Sequence, residues 1–265
     1  MQVTGKTKYI PIIGHPAWKV VSPPAINDRL AKERVDAVMT ALDVTPEALP
    51  AFWTLLRTSE TMLGCSITFP HKQPAFEEVD SRTDRAERLG ALNTVRRGAD
   101  GHLAGDATDG LALCAAITAA GHDLAGRSVR IVGAGGGAGL AIADAFCEAG
   151  VTALVLEESD PARLDAVTEL LVTHWPQVAL LAPGSAAEVQ VNATTLGLKD
   201  DDALPFTDAE LRAAAFVCDI VGPVGQTVLT RRAAALGTAV VDGTAMGEGQ
   251  VTAQLSFILD RPLAG

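Results

Sequence analysis

The sequence predicts an α/β protein of two domains, an N-terminal α/β domain followed by a Rossmann-type, doubly wound parallel sheet. Strand-like and helix-like segments alternate along all 265 residues, which favours sheets covered by helices. Apolar residues make up 48% of the chain, with many Ala, Val and Gly and a single Tyr, a composition typical of layers that pack through small side chains. The length is large for one core and suits two domains.

The first half predicts an α/β domain, which we place at residues 1–107. Pro23 and Pro24 suit the first turn of a helix capped by Ser22, because proline there loses no intrahelical hydrogen bond. Apolar alternation predicts the strands. The expected strands cover 8–14, 37–44 and 62–69; the expected helices begin at Pro23, cover 46–58 and lie in the short segments 71–79 and 81–90; a hairpin is expected around 98–101.

The second half predicts a parallel βαβ series, which we place at residues 108–243. A helix over 108–121 leads away from the first domain, and strands and helices then alternate. The last helix, at 251–260, has no strand after it, so we expect residues 244–265 to pack on the first domain. The expected strands cover 129–134, 152–158, 178–183, 190–195, 216–222 and 238–243; the expected helices cover 138–149, 160–175, 207–214 and 226–236.

Composition excludes several classes of function. The formal charge of −11 and the lack of a basic stripe argue against nucleic-acid binding. No apolar run reaches membrane-spanning length and the N-terminus has no signal-peptide core, which predicts a cytoplasmic protein without a membrane partner. The four cysteines and five histidines have no metal-like spacing, so we expect reduced thiols and no metal site. The sequence leaves monomer and homodimer open.

A glycine-rich loop is the most informative stretch. Gly133, Gly135 and Ala138 follow a strand-like segment and begin a helix-like one, the context that the spacing G-x-G-x-x-[G/A] requires. The first glycine permits a tight turn, the second lets a diphosphate approach the backbone, and the small third residue lets the helix pack on the strand. With Gly136 and Gly137 the loop predicts a dinucleotide site at a helix N-terminus, although such loops also serve as plain turns.

Two acidic residues end the next strand. Glu157 and Glu158 follow the loop by about 20 residues, where a carboxylate can accept hydrogen bonds from ribose hydroxyls. A 2′-phosphate there would meet negative charge, and no Lys or Arg lies between Gly150 and Pro161 to neutralise it. We therefore predict NAD as the preferred cofactor and NADP as the alternative. The other interpretation is that both glutamates are solvated side chains at a strand end without a role in cofactor binding.

Lys72 directly follows the apolar-alternating segment 62–69 and the residues Pro70 and His71. A lysine just past a strand is usually a solvated surface charge. The other interpretation is a lysine held at the mouth of a cleft to move protons. The local pattern does not distinguish the two.

Short segments along nearly the whole chain carry a resemblance to one known family. The segments are GHPAWKVVSPPAIN (14–27), GCSITFPHK (64–72), GALNTV (90–95), GDATDG (105–110), VNATTLGL (191–198) and DGTAMGEGQ (242–250). In this order they resemble the shikimate/quinate dehydrogenase family. The resemblance implies a substrate-binding domain followed by a dinucleotide-binding domain, and a small-molecule hydroxy-acid substrate.

By this resemblance Lys72 and Asp109 are the catalytic pair. When a hydride is removed from a secondary alcohol, the hydroxyl proton must also be removed. A lysine amine can accept this proton, and a carboxylate can orient the amine and the substrate hydroxyl. The resemblance also implies further site residues. Those implied for the substrate are Ser22, Ser66, Thr68, Asn93 and Gln250; those implied for the cofactor, besides the loop and the two glutamates, are Asn192, Thr194 and Gly243.

Three positions depart from the family's pattern. Val20 stands where a serine would contact the substrate carboxylate, Ser66 replaces an asparagine, and Gly222 replaces a tyrosine. Each change alters discrimination by roughly 1–3 kcal/mol if it leaves a substrate group unpaired, and Lys19 is a candidate replacement for the carboxylate contact.

We therefore expect an NAD(P)-dependent dehydrogenase that interconverts a shikimate- or quinate-like cyclic hydroxy acid and its 3-keto form. The alternatives are the same chemistry on a different hydroxy acid, and a cofactor-sensing binding protein without turnover. The retention of Lys72 and Asp109 speaks against the sensor.

Overall fold

The computed structural model describes residues 2–199, 201–221 and 226–263. The chain forms two compact units. The first extends to Thr108 and includes the C-terminal segment from Gln250, and the second is Asp109–Gly249. Gly222 lies outside the described residues.

The first unit contains a six-stranded mixed sheet in the order β2-β1-β3-β5-β6-β4. Two short 3-10 turns, Ala17–Lys19 and Pro46–Ala48, precede α1 and α2. The elements are β1 (Lys8–Gly14), α1 (Pro23–Lys32), β2 (Ala37–Asp43), α2 (Leu49–Thr58), β3 (Gly64–Ile67), α3 (Pro74–Glu78), β4 (Ser81–Arg82), α4 (Asp84–Leu89), β5 (Thr94–Arg97) and β6 (Leu103–Asp106).

The predicted elements of this unit occur in the predicted order, with two differences. The strand expected over 62–69 is shorter, because Met62 makes only an isolated bridge and the chain turns at Thr68, whose carbonyl accepts the His71 N–H at 3.0 Å. The short strand β4, between α3 and α4, was not expected. The hairpin around 98–101 joins β5 and β6 as an antiparallel pair.

The second unit contains a six-stranded, wholly parallel sheet in the order β12-β11-β10-β7-β8-β9. This is the doubly wound order with its switch point between β7 and β10, where ligands bind beyond the carboxyl ends of the strands. The elements are α5 (Asp109–Ala119), β7 (Ser128–Val132), α6 (Gly137–Glu148), β8 (Ala153–Glu157), α7 (Pro161–His174), β9 (Ala179–Leu181), β10 (Val189–Asn192), α8 (Asp208–Ala213), β11 (Phe216–Asp219), α9 (Val228–Ala235), β12 (Ala239–Asp242) and α10 (Gly243–Ile258). The predicted fold class is confirmed.

The last helix, α10, begins eight residues earlier than predicted. Its first part belongs to the second unit, where Gly249 lies so close to α5 that an added Cβ would stand 2.1 Å from the Ala112 carbonyl oxygen. Its second part belongs to the first unit, where Val251, Leu255 and Ile258 pack with the buried side chain of Ile10 on β1. The change of unit at Gly249–Gln250 therefore falls inside the helix, six residues after the boundary expected at 243.

Each unit is built around its own apolar core. In the first unit one buried cluster includes Trp53 and Leu56 of α2, packed beneath the sheet. In the second, Phe146 of α6 and Phe216 of β11 are fully buried among aliphatic side chains. Among the helices of the described residues, none is long and apolar enough to cross a membrane. The described ranges contain no cluster of His, Cys, Asp and Glu side chains that could hold a metal ion.

Candidate active site

Lys72 lies on a well-anchored turn between β3 and α3. The side chain of His71 is buried, and its Nε2 donates to the Val44 carbonyl oxygen at 2.6 Å. The Lys72 carbonyl oxygen accepts the N–H of Leu92 at 3.1 Å, which ties the turn to the residue before Asn93. Lys72 itself is half-buried. Such a position differs from the freely solvated lysine that is common after strands.

Asn93 organises the neighbouring part of the unit. Its side chain is buried, and Oδ1 accepts hydrogen bonds from the Thr108 N–H at 2.8 Å, the Thr108 hydroxyl at 3.0 Å and the Thr94 hydroxyl at 3.1 Å. The two threonine hydroxyls lie 3.1 Å apart. Oδ1 thus holds Thr108, the residue before Asp109, and the contact of Asn93 with a substrate stays a prediction.

Two amides of α10 reach this region. Gln250 Nε2 donates to the Thr108 hydroxyl at 3.2 Å, and Gln254 Oε1 accepts from the Ser66 hydroxyl at 3.0 Å. Positions four apart lie on one face of a helix, so the two amides point the same way. We call the set Ser66, Asn93, Thr94, Thr108, Gln250 and Gln254 the polar layer. It unites three residues predicted to bind substrate, Ser66, Asn93 and Gln250, with three that the sequence analysis missed.

Ser22 and Val20 lie at the start of α1. The hydroxyl oxygen of Ser22 is buried and has no hydrogen-bond partner among the described residues, although Ser22 precedes a helix that it could cap. A buried hydroxyl without a protein partner is uncommon and suits contact with a ligand. The side chain of Val20 packs against the apolar cluster around Ile26 and Leu30. Lys19 Nζ stands 5.4 Å from the ring centroid of Trp18, which is 79% exposed.

Thr68, the remaining residue predicted to bind substrate, follows β3. It is half-buried, and its N–H donates to the Ile13 carbonyl oxygen at 2.9 Å. A Cβ added to Gly14 would come within 2.5 Å of its methyl carbon. A glycine at 14 therefore lets the two strand ends approach, which fixes the position of Thr68.

In the second unit the glycine loop has the shape that a dinucleotide requires. Gly133 has a φ of 85°, open to glycine but strained for other residues, and Gly136 caps α6. Around Gly137 there is open space at the helix N-terminus. A close approach of α6 to the loop lies one residue after Ala138, at Gly139, where a Cβ would stand 2.1 Å from the Gly133 carbonyl oxygen. The role of Ala138 in this packing stays a prediction.

The two glutamates at the end of β8 have different surroundings. Glu157 forms an ion pair with Arg130 of β7 at 2.5 Å, and the same guanidinium also binds Glu210 of α8. Glu158 instead reaches the loop, where its carboxylate accepts the Gly135 N–H at 3.1 Å. Of the two, only Glu158 contacts the glycine loop through its side chain.

Hydrogen bonds lower the pKa of the Glu158 carboxyl. The largest cause is the N–H of Asp160, at 3.1 Å, and the hydroxyl and N–H of Ser159 and the N–H of Gly135 add to it. The carboxylate is therefore charged at neutral pH. Arg163 packs against the same loop, where a Cβ on Gly135 would come within 2.5 Å of the Arg163 Cβ. Its guanidinium stands 3.5 Å from the Asp160 carboxylate.

The turn after β10 packs on this loop. Thr194 is adjacent to Gly133, because a Cβ there would stand 2.8 Å from the Thr194 methyl carbon. Asn192, predicted to bind cofactor, is fully buried. Its Oδ1 accepts from the N–H and hydroxyl of Thr194, and its Nδ2 donates to Leu196 and Asp219. With these bonds made inside the protein, Asn192 shapes the turn and offers no atom to a cofactor.

Asp219 is a buried carboxyl at the end of β11 that the sequence analysis missed. It accepts from Asn192 Nδ2 at 3.0 Å and from the Thr227 hydroxyl at 2.5 Å. Burial raises the pKa of this carboxyl, against the effect of its donors. An acidic residue inside the apolar run FVCDIV was the signal that could have revealed it.

Two remaining predicted residues begin helices. Asp109 is the first residue of α5 and is half-buried. Gly243 is the first residue of α10, and Asp242 before it caps that helix by accepting the Ala245 N–H at 3.0 Å. The helix starts thus account for the local conformation of both positions.

Comparison with known proteins agrees with this architecture. The profile of the shikimate dehydrogenase substrate binding domain matches residues 12–95. A shikimate dehydrogenase (NADP(+)) of Rubrobacter xylanophilus is 37% identical over 253 residues, which cover 92% of this chain and 88% of that protein.

Two solved structures have the same fold. Shikimate 5-dehydrogenase from Listeria monocytogenes, in complex with shikimate and NAD, has a TM-score of 0.88 at 27% identity and covers 99% of this chain and 95% of its own. A 5-ketofructose reductase of Gluconobacter has a TM-score of 0.90 at 23% identity, covers 98% and 96%, and agrees in fold.

The loop, the polar layer and these matches lead to one conclusion. The loop has the open space and the glycines that a nicotinamide dinucleotide needs, and the family uses such a cofactor. The chain belongs to the shikimate dehydrogenase family and is a nicotinamide-dependent oxidoreductase of the alcohol dehydrogenase type that acts on a small molecule.

Proposed function

We propose that this protein interconverts a shikimate- or quinate-like cyclic hydroxy acid and its 3-keto form, with Lys72 and Asp109 as the proton-transfer pair. The polar layer carries this proposal, because its hydroxyl and amide groups suit a ring with several hydroxyl groups. The shikimate dehydrogenase of Rubrobacter and the shikimate-bound structure of the Listeria enzyme support the substrate class.

The bound nicotinamide would supply the acceptor or donor of the hydride. Lys72 would take the proton of the substrate hydroxyl when the alcohol carbon becomes a carbonyl carbon, and would return it in the reverse direction. Such proton transfer contributes typically 10²–10⁴-fold to a rate. The half-buried setting of Lys72 supports this role, since its anchored turn fixes the backbone from which the amine extends.

Asp109 would orient the amine and the substrate hydroxyl. Its backbone position is set by the residue before it, because Thr108 is held by Asn93 and Gln250. An orienting carboxylate must be fixed to be useful. The polar layer would thus serve both the ring hydroxyls and the placement of the acid.

A second candidate is the same chemistry on a different hydroxy acid, and Val20 favours it. Its aliphatic side chain packs in an apolar cluster and cannot donate a hydrogen bond to a carboxylate. The unpartnered hydroxyl of Ser22 would then be the serine that remains for that contact.

For the cofactor we propose a preference for NAD. The charged Glu158 carboxylate beside Gly135 supports it, because a 2′-phosphate would be repelled there. The name of the Rubrobacter relative specifies NADP(+), whereas the Listeria structure contains NAD. The residues of this chain at the end of β8 favour NAD.

Turnover across a substrate panel tests the proposal. Formation of reduced nicotinamide is measured with shikimate, quinate and related hydroxy acids, for the wild type, for Lys72→Ala and for the exposed-lysine control Lys32→Ala. We expect turnover of a cyclic hydroxy acid, a fall in kcat of roughly 10²-fold or more for Lys72→Ala, and no change for the control. Cofactor binding without turnover of any substrate would instead support a sensor.

A further inference from the structure

Gln254 is the least expected member of the polar layer. Its side chain is 5% exposed, and it comes from a turn of α10 beyond the segment that resembles the family. Ser66, its partner, is fully buried in β3 and lies opposite Thr94 in the antiparallel register with β5. The hydrogen bond between them joins residues 188 positions apart.

The amide of Gln254 is only half used inside the protein. Oε1 accepts from the Ser66 hydroxyl. Nε2 has no acceptor within residues 2–199, 201–221 and 226–263, and it is not among the fully buried unpaired side-chain atoms of these residues, so part of its surface is accessible. An accessible amide donor beside buried polar groups can pair with water or with a ligand.

The surroundings of this donor indicate which kind of ligand would pair with it. Gln250, one turn earlier on the same face, binds Thr108, and Asn93 binds both Thr108 and Thr94. The neighbouring groups are neutral hydroxyls and amides, which match hydroxyl or carbonyl oxygens of a ligand better than a charged group.

We infer that Gln254 is a specificity-determining residue whose Nε2 donates a hydrogen bond to a hydroxyl or carbonyl oxygen of the substrate, with Ser66 holding the amide in place. The inference rests on the proposed use of the polar layer as the substrate site. On this inference, an amide from α10 hydrogen-bonds an oxygen on the substrate ring near Ser66. The serine side chain is too short to reach that oxygen by itself. Substrates without an oxygen at that position would be poor.

The alternative is that Ser66 and Gln254 only fasten α10 to β3. Three variants separate the two roles. Gln254→Glu keeps an oxygen for the Ser66 hydroxyl and removes the amide donor. Gln254→Met keeps the length and removes both. Ser66→Ala removes the fastening and keeps the amide. Thr252→Ala, two residues away on the same helix, is the control.

The experiment measures substrate binding by calorimetry, kcat and KM, the KM for the cofactor, and the melting temperature. The probe is each member of a panel of shikimate, quinate and neutral cyclic polyols that the wild type binds. We expect Gln254→Glu and Gln254→Met to weaken binding and raise the substrate KM tenfold or more. Their kcat should stay within about threefold and the KM for the cofactor should not change. The double variant Ser66→Asn/Gln254→Ala, which moves the amide to the strand, should change the order of preference within the panel.

The inference would be overturned if Gln254→Glu and Gln254→Met bound substrate as the wild type does, while only Gln254→Met and Ser66→Ala had a lower melting temperature. That result would leave the fastening role. Loss of binding in the Gln254 variants, when the wild type binds but does not oxidise the panel, would support the inference and refute the proposed activity. If the wild type turned over a panel member and the Gln254 variants did so equally well, the proposed activity would be supported and the inference about Gln254 refuted. Binding of no panel member by the wild type would overturn both.

Discussion

Asn93 holds Thr108 with two hydrogen bonds, one from the backbone N–H at 2.8 Å and one from the hydroxyl at 3.0 Å. Thr108 is the last residue of the N-terminal segment of the first unit and directly precedes Asp109. A single buried carbonyl oxygen therefore fixes the chain at the point where the proposed catalytic carboxylate follows. Asn93 is a positioning residue through this contact.

We expect Asn93→Ala to lower both stability and turnover. The variant leaves the Thr108 N–H and hydroxyl without their buried acceptor, which costs about 1–3 kcal/mol, and the backbone before Asp109 loses its restraint. Urea unfolding should show the loss of stability, and kcat should fall by about tenfold or more with a smaller change in KM. Asn93→Asp, which keeps an acceptor oxygen, should recover most of the stability. Equal stability of Asn93→Ala and wild type would contradict the positioning role.

A second prediction concerns Val20. Because its side chain cannot hydrogen-bond a carboxylate, shikimate should be a weak substrate. Val20→Ser should raise kcat/KM for shikimate by about tenfold or more, since a hydrogen bond to a charged group contributes about 1.5–3 kcal/mol. Val20→Ala, which leaves the apolar cluster without adding a hydroxyl, is the matched control. Initial rates at varied shikimate concentration measure the effect. No gain from serine over alanine would show that the carboxylate is held elsewhere, and Lys19→Ala would be tested next.

The sequence predicted the fold class and the order of elements because both depend on local patterns. The alternation of strand-like and helix-like segments and the context of Gly133 and Gly135 were sufficient for the second unit. Two details were not predicted, and both have physical causes. The close approach of Gly139 to the loop was missed, because the packing of a helix on the preceding turn depends on the exact geometry of that turn. The strand β3 ends at Ile67, earlier than expected, because the chain turns at Thr68, whose carbonyl oxygen accepts the His71 N–H.

The site was harder to predict because its members meet through long-range contacts. No local pattern joins Ser66 to Gln254, and only the helical spacing from Gln250 hinted that Gln254 would share its face. The burial of Asn192 could not be predicted from the sequence either, because its partner Asp219 comes from another strand. The difference between Glu157 and Glu158 depends on Arg130, whose place beside β8 follows from strand order alone.

The buried carboxyl of Asp219 makes a prediction about pH. Its pKa is raised above the ordinary value of 3.8 by burial, so the folded protein binds this proton more tightly than the unfolded chain does. The contribution of Asp219 to the free energy of unfolding is therefore greatest below pH 3.8 and falls as the pH rises through the window up to the folded pKa. We expect the stability of wild type minus that of Asp219→Asn to decline across this window.

Urea unfolding at a series of pH values, for both proteins, measures this difference. Asn at 219 can still accept from Asn192, and the Thr227 hydroxyl can rotate to accept in turn, so the variant should fold. A difference that grows with rising pH would mean that the donors around Asp219 favour its charged form by more than burial disfavours it.

The last prediction concerns the choice between NAD and NADP, and Glu158 carries it. Its carboxylate accepts the Gly135 N–H, and hydrogen bonds keep its pKa low, so it is charged at the pH of any assay near neutrality. A ribose 2′-hydroxyl can donate to this carboxylate, whereas a 2′-phosphate would add about two negative charges against it. We expect kcat/KM to favour NAD by at least about tenfold, equivalent to roughly 1.4 kcal/mol.

Glu158→Ser should reduce that preference and Glu158→Arg should reverse it, because a guanidinium pairs with a phosphate where a carboxylate repels it. Glu157→Gln is the matched control: Glu157 is already paired with Arg130, so the variant should change the preference much less. Kinetics with both cofactors, together with equilibrium binding of each, measure the effect apart from any loss of turnover. A clear preference of the wild type for NADP would mean that Arg163, which packs against Gly135, leaves Asp160 and binds the phosphate strongly enough to outweigh Glu158. In that case Arg163→Ala should abolish the preference.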